Sequence, residues 1–171
     1  MSTIIAGRYK GRNIKIHKLK NVRPTLAKVK KSIFQILEPI KNKNVLDLYS
    51  GTGSIGLEFL SRGAKNVIMV EKSRKLISLL NKNIASIHLE DNYNIICSDV
   101  IRFLKSNSIM FDMIFADPPY NTIEFDDLKK MVDLSLVEGG VFCMEMKKKQ
   151  IQDESIDVRE YGNTQVAMWK K

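Results

Sequence analysis

From Asn44 onward the chain alternates short continuous apolar runs with stretches whose apolar residues recur every three to four positions. Continuous runs suit strands buried on both faces, and the helical recurrence suits segments that bury a single stripe. Val45-Leu46-Asp47-Leu48, Val67 to Val70, Asn94 to Cys97, Met113 to Ala116 and Val141 to Met146 read as strands. Helices are expected between them, from about Ser54 to Arg62 with a stop at Gly63, near Val100 to Lys105 and near Phe125 to Leu136. Another should start at Ser73, a suitable N-cap, and carry Leu76, Leu80, Ile84 and Ile87 on one face. Repeated strand-helix-strand units predict an α/β fold, a mostly parallel sheet with helices on both faces. The tail breaks the alternation. Ile156 to Tyr161 and Thr164 to Trp169 flank Gly162-Asn163, a two-residue turn signal, so the sheet should end in an antiparallel hairpin.

The first quarter of the chain has a different pattern. Residues 3 to 17 alternate loosely around Gly7 and Gly11, with Ile4-Ile5, Ile14 and Ile16 as apolar positions, which suggests a hairpin or two short strands. Arg23-Pro24-Thr25 punctuates the chain, and Leu26, Val29, Ile33 and Leu37 then keep helical spacing with Lys28, Lys30 and Lys31 turned elsewhere, so 25–38 reads as an amphipathic helix with Thr25 as N-cap. Pro39 and Lys41-Asn42-Lys43 separate this part from the alternating region.

At 171 residues and 44% hydrophobic content, one well-buried core is expected. The reading is a single domain, 1–171, with an N-terminal arm over 1–43 and a catalytic core over 44–171. Charge sharpens this division. Residues 1–43 hold 12 Lys/Arg against one acid, Glu38, for a net +11, whereas 44–171 come to −2. A basic segment of this density suits contact with nucleic-acid phosphates, with a solvated lysine-rich surface as the plainer alternative. Cys97 and Cys143 both lie in apolar, strand-like runs and are read as buried thiols, not a disulfide or metal site. His17 and His88 have no partner spacing, and no metal is expected. No apolar run approaches the roughly 18 residues of a membrane helix, and the N-terminus has no signal-like apolar stretch, so a soluble, cytoplasmic monomer is expected.

Asp47-Leu48-Tyr49-Ser50-Gly51-Thr52-Gly53-Ser54-Ile55-Gly56 falls between the first strand of the alternation and its helix, at the carboxyl edge where open α/β sheets bind ligands. Glycines there let the backbone turn sharply and approach a ligand closely. Glu71, at the end of the next strand, can accept hydrogen bonds from ribose hydroxyls. A dinucleotide would bring its pyrophosphate near Asp47, where like charges repel. S-adenosylmethionine has no phosphate and carries a sulfonium and an ammonium, so a carboxylate there attracts it. Asp99, after the following strand, suits the adenine amino group, or is simply a helix N-cap. The candidate cofactor-binding residues are Asp47, Ser50, Gly51, Thr52, Gly53, Glu71, Lys72, Asp99 and Val100.

Phe111 to Ala116 then delivers Asp117-Pro118-Pro119-Tyr120 to the same edge. The nitrogen of a base amine is a poor nucleophile because its lone pair is delocalised into the ring. Fixed acceptors, the Asp117 side chain and the Pro118 carbonyl, can hold both amine hydrogens and favour a lone pair directed at the methyl group. The prolines stiffen the loop, and Tyr120 can stack on a flipped-out base. Asp117, Pro118, Pro119 and Tyr120 are therefore the candidate catalytic residues. An oxidoreductase would leave this motif idle, and a non-catalytic RNA-binding factor would not require it. The chemistry does not separate guanine N2 from adenine N6 or cytosine N4, in RNA or DNA.

These motifs resemble those of the RsmD family, bacterial methyltransferases that modify a guanine N2 amine in 16S ribosomal RNA. The resemblance rests on Ile4-Ile5-Ala6-Gly7, Lys10-Gly11-Arg12, Arg23-Pro24-Thr25 before Val29 and Phe34, Asp47 to Gly56, Leu60-Ser61-Arg62-Gly63-Ala64, Val70-Glu71 and Asp117 to Tyr120. It implies a seven-stranded class I, Rossmann-like methyltransferase fold, S-adenosyl-L-methionine as cofactor, and 16S rRNA of an assembling small subunit as partner. Arg8, Lys10, Arg12, Arg23, Thr25 and Lys28 become the candidate RNA-binding residues, with Arg23-Pro24-Thr25 near the active site. The chain departs from the family pattern at Ala27 and Lys31, where acids are usual, and at Tyr120, where Phe is frequent.

Overall fold

The computed structural model describes residues 2–16, 27–119 and 122–171, without the side chains of Ala27 and Lys28. Ser2–Thr3 (β1) and Asn13–Ile14 (β2) pair antiparallel, and Ala27–Ile36 forms α1. The alternation follows as β3 (Asn44–Leu48), α2 (Gly56–Ser61), β4 (Asn66–Glu71), α3 (Arg74–Ile87), β5 (Tyr93–Cys97), α4 (Val100–Ser106), β6 (Phe111–Ala116), α5 (Phe125–Asp133) and β7 (Leu136–Lys147). The hairpin β8 (Ile156–Tyr161) and β9 (Thr164–Lys170) closes the chain. The seven-stranded sheet runs β5-β4-β3-β6-β7-β9-β8, with the β7–β9 and β9–β8 pairs antiparallel.

Successive side chains of a strand point to opposite faces, and the parallel strands are apolar in both directions. Val45, Val67, Met69, Met113 and Phe115 pack with Leu57 and Phe59 of α2 and Leu80 and Ile84 of α3. Leu46, Leu48, Ile68, Val70 and Ile114 pack against Phe103 of α4 and Leu128 of α5 on the other side. The N-terminal segment belongs to the first of these layers: Ile4, Tyr9, Ile14, Val29, Ile33 and Phe34 share its cluster. Gly7 explains how the segment lies so close, since a Cβ there would stand 1.7 Å from the Ser61 carbonyl oxygen and its φ is +81°.

Several expectations shift. The last strand-to-helix unit is redistributed: α5 ends at Asp133 and Leu136 already pairs with Phe111 as the start of a longer β7, because the β6–β7 ladder continues past a register shift below Met113. Cys143 is buried but Cys97 is exposed, because β5 is the sheet's edge strand. Lys30 does not turn to solvent. It is 1% exposed and ion-paired with Glu58.

Candidate functional site

β3 is flanked by β4 on one side and β6 on the other, both parallel to it. The chain runs outward from β3 through β4 to β5 and returns to β6, so the topological switch lies between β3 and β6, where open sheets form their ligand crevice. Both sequence motifs open onto this crevice. The Asp117 N–H reaches the Leu48 carbonyl at 3.4 Å, which puts the strand ends carrying the two motifs directly side by side.

The glycine loop is held by its neighbours on the β4 side. Ser50 donates its N–H to the Val70 carbonyl, and Gly51 donates to Glu71 Oε2 at 3.0 Å. Glu71 Oε1 accepts the Ser73 N–H at 2.8 Å. A carboxylate offers about four acceptor positions, so Glu71 retains capacity for further donors. Tyr49, Gly51 and Gly53 all have left-handed φ, which swings the loop through its turn. Among the described residues, a Cβ on Gly51 would meet only the Tyr49 carbonyl oxygen, at 3.9 Å, so they leave the space beside it open; at Gly53 it would strike Leu80 Cδ1 at 2.2 Å. One glycine thus faces the crevice while the other is packed against α3.

Asp47 lies beneath the loop, 1% exposed, accepting the Gly56 N–H at 2.9 Å. Burial, opposed by that hydrogen bond and reinforced by the charge of Glu71, pushes its carboxyl up to about 8. Its charge at neutral pH is therefore partial. The sequence argument that Asp47 repels a pyrophosphate loses force, and its visible task is to anchor the start of α2. Asp99 is the N-cap of α4, with Oδ1 accepting from Ile101 and Arg102. Burial first, then the charge of Asp99, raises the half-buried Tyr49 phenol above the ordinary value. Lys72 is exposed and Val100 buried.

Asp117 is partly exposed at the mouth of the crevice and enclosed by protein elsewhere. Burial first, then the charges of Glu145 and Asp47, raise its carboxyl well above the usual carboxylate range. The Pro119 carbonyl is occupied by the Thr122 N–H, whereas none of the described residues donates to the Pro118 carbonyl. The described residues thus leave available the acceptor that the sequence motif assigned. Tyr120 lies outside the described residues, as do Arg23, Thr25, His17 and the side chain of Lys28.

The structure brings in residues that no sequence motif marked. Glu58 of α2, fully buried, accepts from Ile5 N, Ala6 N, Lys30 Nζ and Arg62 Nε at 2.8 to 3.0 Å. Lys30 Nζ also donates to the Thr3 carbonyl and to Ser54 of the glycine loop. Burial pulls its ammonium below the ordinary lysine value, with Glu58 opposing. Asn83 of α3, also wholly buried, clamps the Lys15 backbone through both its N–H and its carbonyl and donates to the Thr52 carbonyl. The N-terminal segment is therefore fastened to the glycine loop at two places. A lone Asn on a helix face and a Lys in a basic run carry no sequence signal of this. Of the basic candidates, Arg8 pairs with Asp91 at 3.3 Å while Lys10 and Arg12 stand exposed on the turn between β1 and β2.

The family described as conserved hypothetical protein 95 matches residues 2–170. The Bacillus subtilis (strain 168) protein named "Putative rRNA methyltransferase YlbH" is 32% identical and aligns over 98% of each chain. "Ribosomal RNA small subunit methyltransferase D" of Buchnera aphidicola subsp. Acyrthosiphon pisum (strain APS) is 33% identical over 86% of this chain and 78% of its own. The chain belongs to the RsmD family of methyltransferases. Its fold agrees: the solved structure titled "Putative methyltransferase yhhF from Escherichia coli" superposes with a TM-score of 0.85 at 23% identity, covering 99% of this chain and 97% of that one. The family's fold is that of S-adenosylmethionine-dependent methyltransferases, in agreement with the sequence motifs. No helix among the described residues is long and apolar enough to cross a membrane.

Proposed function

We propose that this chain, acting as one methyltransferase domain in the cytoplasm, transfers the methyl group of S-adenosylmethionine to the exocyclic N2 amine of a guanine in 16S rRNA of an assembling small ribosomal subunit. The observation that carries the reading is the placement of Asp117-Pro118 beside the glycine loop across the β3–β6 switch point. A nucleoside cofactor fits the residues present. Among the described residues, nothing fills the space beside Gly51, Glu71 keeps acceptor positions for ribose hydroxyls, and Asp99 engages only Oδ1 in capping α4.

When bound, the cofactor supplies an electrophilic methyl group on a sulfonium. The protein's residues do the rest by position. Asp117 and the Pro118 carbonyl accept the two amine hydrogens, which orients the nitrogen and stabilises the positive charge it gains as the bond forms. The proton leaves the nitrogen through Asp117 or to solvent at the partly open mouth of the crevice. The raised affinity of Asp117 for a proton suits that step. Guanine is preferred over other base amines because of family membership, and the basic N-terminal segment supports a large RNA substrate.

The test is transfer of tritiated methyl from S-adenosylmethionine to 30S particles and to protein-free 16S rRNA, both from a strain lacking this protein, followed by nucleoside mass spectrometry. N2-methylguanosine as the only new nucleoside is the expected product. Methyladenosine or methylcytidine instead would overturn the base assignment, and no transfer to either RNA would overturn the reading as a whole.

A further inference from the structure

Beside Pro118 and Pro119, on the side away from the glycine loop, lies a pocket of about 210 Å³ lined also by Ile123, Glu124, Met144, Met146 and Lys147 to Lys149. Its floor is apolar, with Met144 1% and Met146 8% exposed, whereas Lys147, Lys148 and Lys149 are exposed at its rim. The volume is below the roughly 300–1,000 Å³ of sites for drug-sized ligands. It suits one planar base and not a whole nucleoside cofactor. An apolar floor of proline and thioether with cations at the rim matches a nucleotide, whose base has an apolar face and whose phosphate is anionic.

Asp117 is absent from the lining, so this is not where the target amine is presented. The pocket adjoins that place through the shared Pro118-Pro119 wall. The lysine run is also held in shape: Lys148 donates its N–H to the Asn163 carbonyl, and Lys149 donates to Gln165 Oε1, both at 3.1 Å. Lys148 pairs with Glu160 and Lys149 with Glu124, whereas Lys147 has no ion pair among the described residues. Lys147 is thus the rim cation that no acid among the described residues compensates, and Glu124 is the rim charge that opposes a phosphate.

We infer that this pocket takes the nucleotide next to the methylated one, its base on Met144, Met146 and Pro118 and its phosphate against Lys147. The inference rests on the proposed RNA substrate and adds a contact surface on the opposite side of the active site from the basic N-terminal segment. RNA held on both sides of the crevice would keep the intervening base extruded toward Asp117.

Charge changes of opposite sign test it. Lys147→Glu should raise KM for protein-free 16S rRNA about fivefold or more and flatten the salt dependence of RNA binding by roughly 0.7 in slope, the share of one phosphate on a single strand. Glu124→Gln should lower KM. Calorimetric affinity for S-adenosylhomocysteine should stay at the wild-type value in both, which also shows that the variants are folded. Ultraviolet crosslinking should attach RNA to a peptide spanning Met144 to Lys149. Unchanged KM and salt slope in both variants, with wild-type protein active, would overturn the pocket while leaving the methyltransferase reading intact; a wild type inactive on every RNA would overturn that reading instead. Loss of binding to 30S particles but not to protein-free rRNA in Lys147→Glu would mean that the rim meets a ribosomal protein, and would also overturn the inference.

Discussion

Glu58 and Asp117 are carboxylates in the same small protein with opposite surroundings. Glu58 is surrounded by donors: backbone N–H groups from the N-terminal segment, the Lys30 ammonium and the Arg62 guanidinium. Asp117 stands among acids, with Glu145 and Asp47 raising its affinity for a proton. The first arrangement neutralises a buried charge completely and ties three parts of the chain together. The second holds a group in an electrostatically unfavourable place beside an open crevice, as sites that bind donors or move protons commonly do. Charges whose surroundings are complete belong to the fold, and a carboxyl to which the described residues bring no donor marks where a ligand is expected. Asn83 belongs with Glu58 on this division, since its amide is fully engaged.

The largest effect should come from the compensated side. Glu58→Ala leaves the buried Lys30 without its counter-ion and strips acceptors from Ile5 and Ala6, so the protein should lose about 3–5 kcal/mol in denaturant unfolding. A loss under about 1 kcal/mol would show that the network is mere packing. Next in size, Asp117→Ala should slow methyl transfer by roughly 10²–10³-fold, the scale of removing one fixed group that stabilises transition-state charge, with S-adenosylhomocysteine affinity retained. Because its proton affinity is raised, the wild-type rate should fall on the acid side at a pH above the ordinary carboxylate range. Turnover of Asp117→Ala close to wild type would end its part in the mechanism.

Asn83→Asp keeps the shape of the side chain but replaces its amide donors, breaking the bonds to the Lys15 and Thr52 carbonyls. Stability should drop by about 1–3 kcal/mol for the unsatisfied groups, and calorimetry should show weaker S-adenosylhomocysteine binding through the loosened glycine loop. Normal cofactor affinity in this variant would separate the N-terminal segment from the loop. The last effect is graded with pH and is small only over any single pH unit. A carboxyl raised to about 8 in the folded chain holds its proton while the unfolded chain has released it. The stability contributed by Asp47 is thus fully present below about pH 4 and is lost as pH rises toward 8, by up to about 1.4 kcal/mol per unit. Asp47→Asn, which keeps an acceptor for Gly56, should therefore gain stability relative to wild type between pH 5 and 8. A constant difference across that range would place the proton elsewhere.

Much of this molecule is legible in the unfolded chain. The strands over 45–48, 67–70 and 113–116 appear with a residue or two added at their ends, Ser73 caps its helix through the Leu76 N–H, and Gly162-Asn163 turns the final hairpin. Those features are local: a run buried on both faces, a side chain bonding its own helix, a turn that needs glycine. The two motif loops can be paired because parallel α/β topology sends alternate strand ends to one edge. The features that escape such reading involve partners distant in sequence. Lys30 reads as a surface lysine because its counter-ion stands 28 residues away, and Cys97 reads as buried because nothing in an apolar run tells an edge strand from a central one.

By itself, then, the sequence determined the alternation of elements, the loops that carry glycine and Asp-Pro-Pro, and the membership of the family, all written in spacing and residue type. Only the tertiary structure decided that the basic N-terminal segment is seated in the core and latched to the glycine loop, that Asp47 is too buried to hold its full charge, and that a lysine-rimmed pocket opens beside Pro118 and Pro119. Solvation and charge depend on everything within a few ångströms, and which residues those are is settled only when the sheet order brings distant segments together.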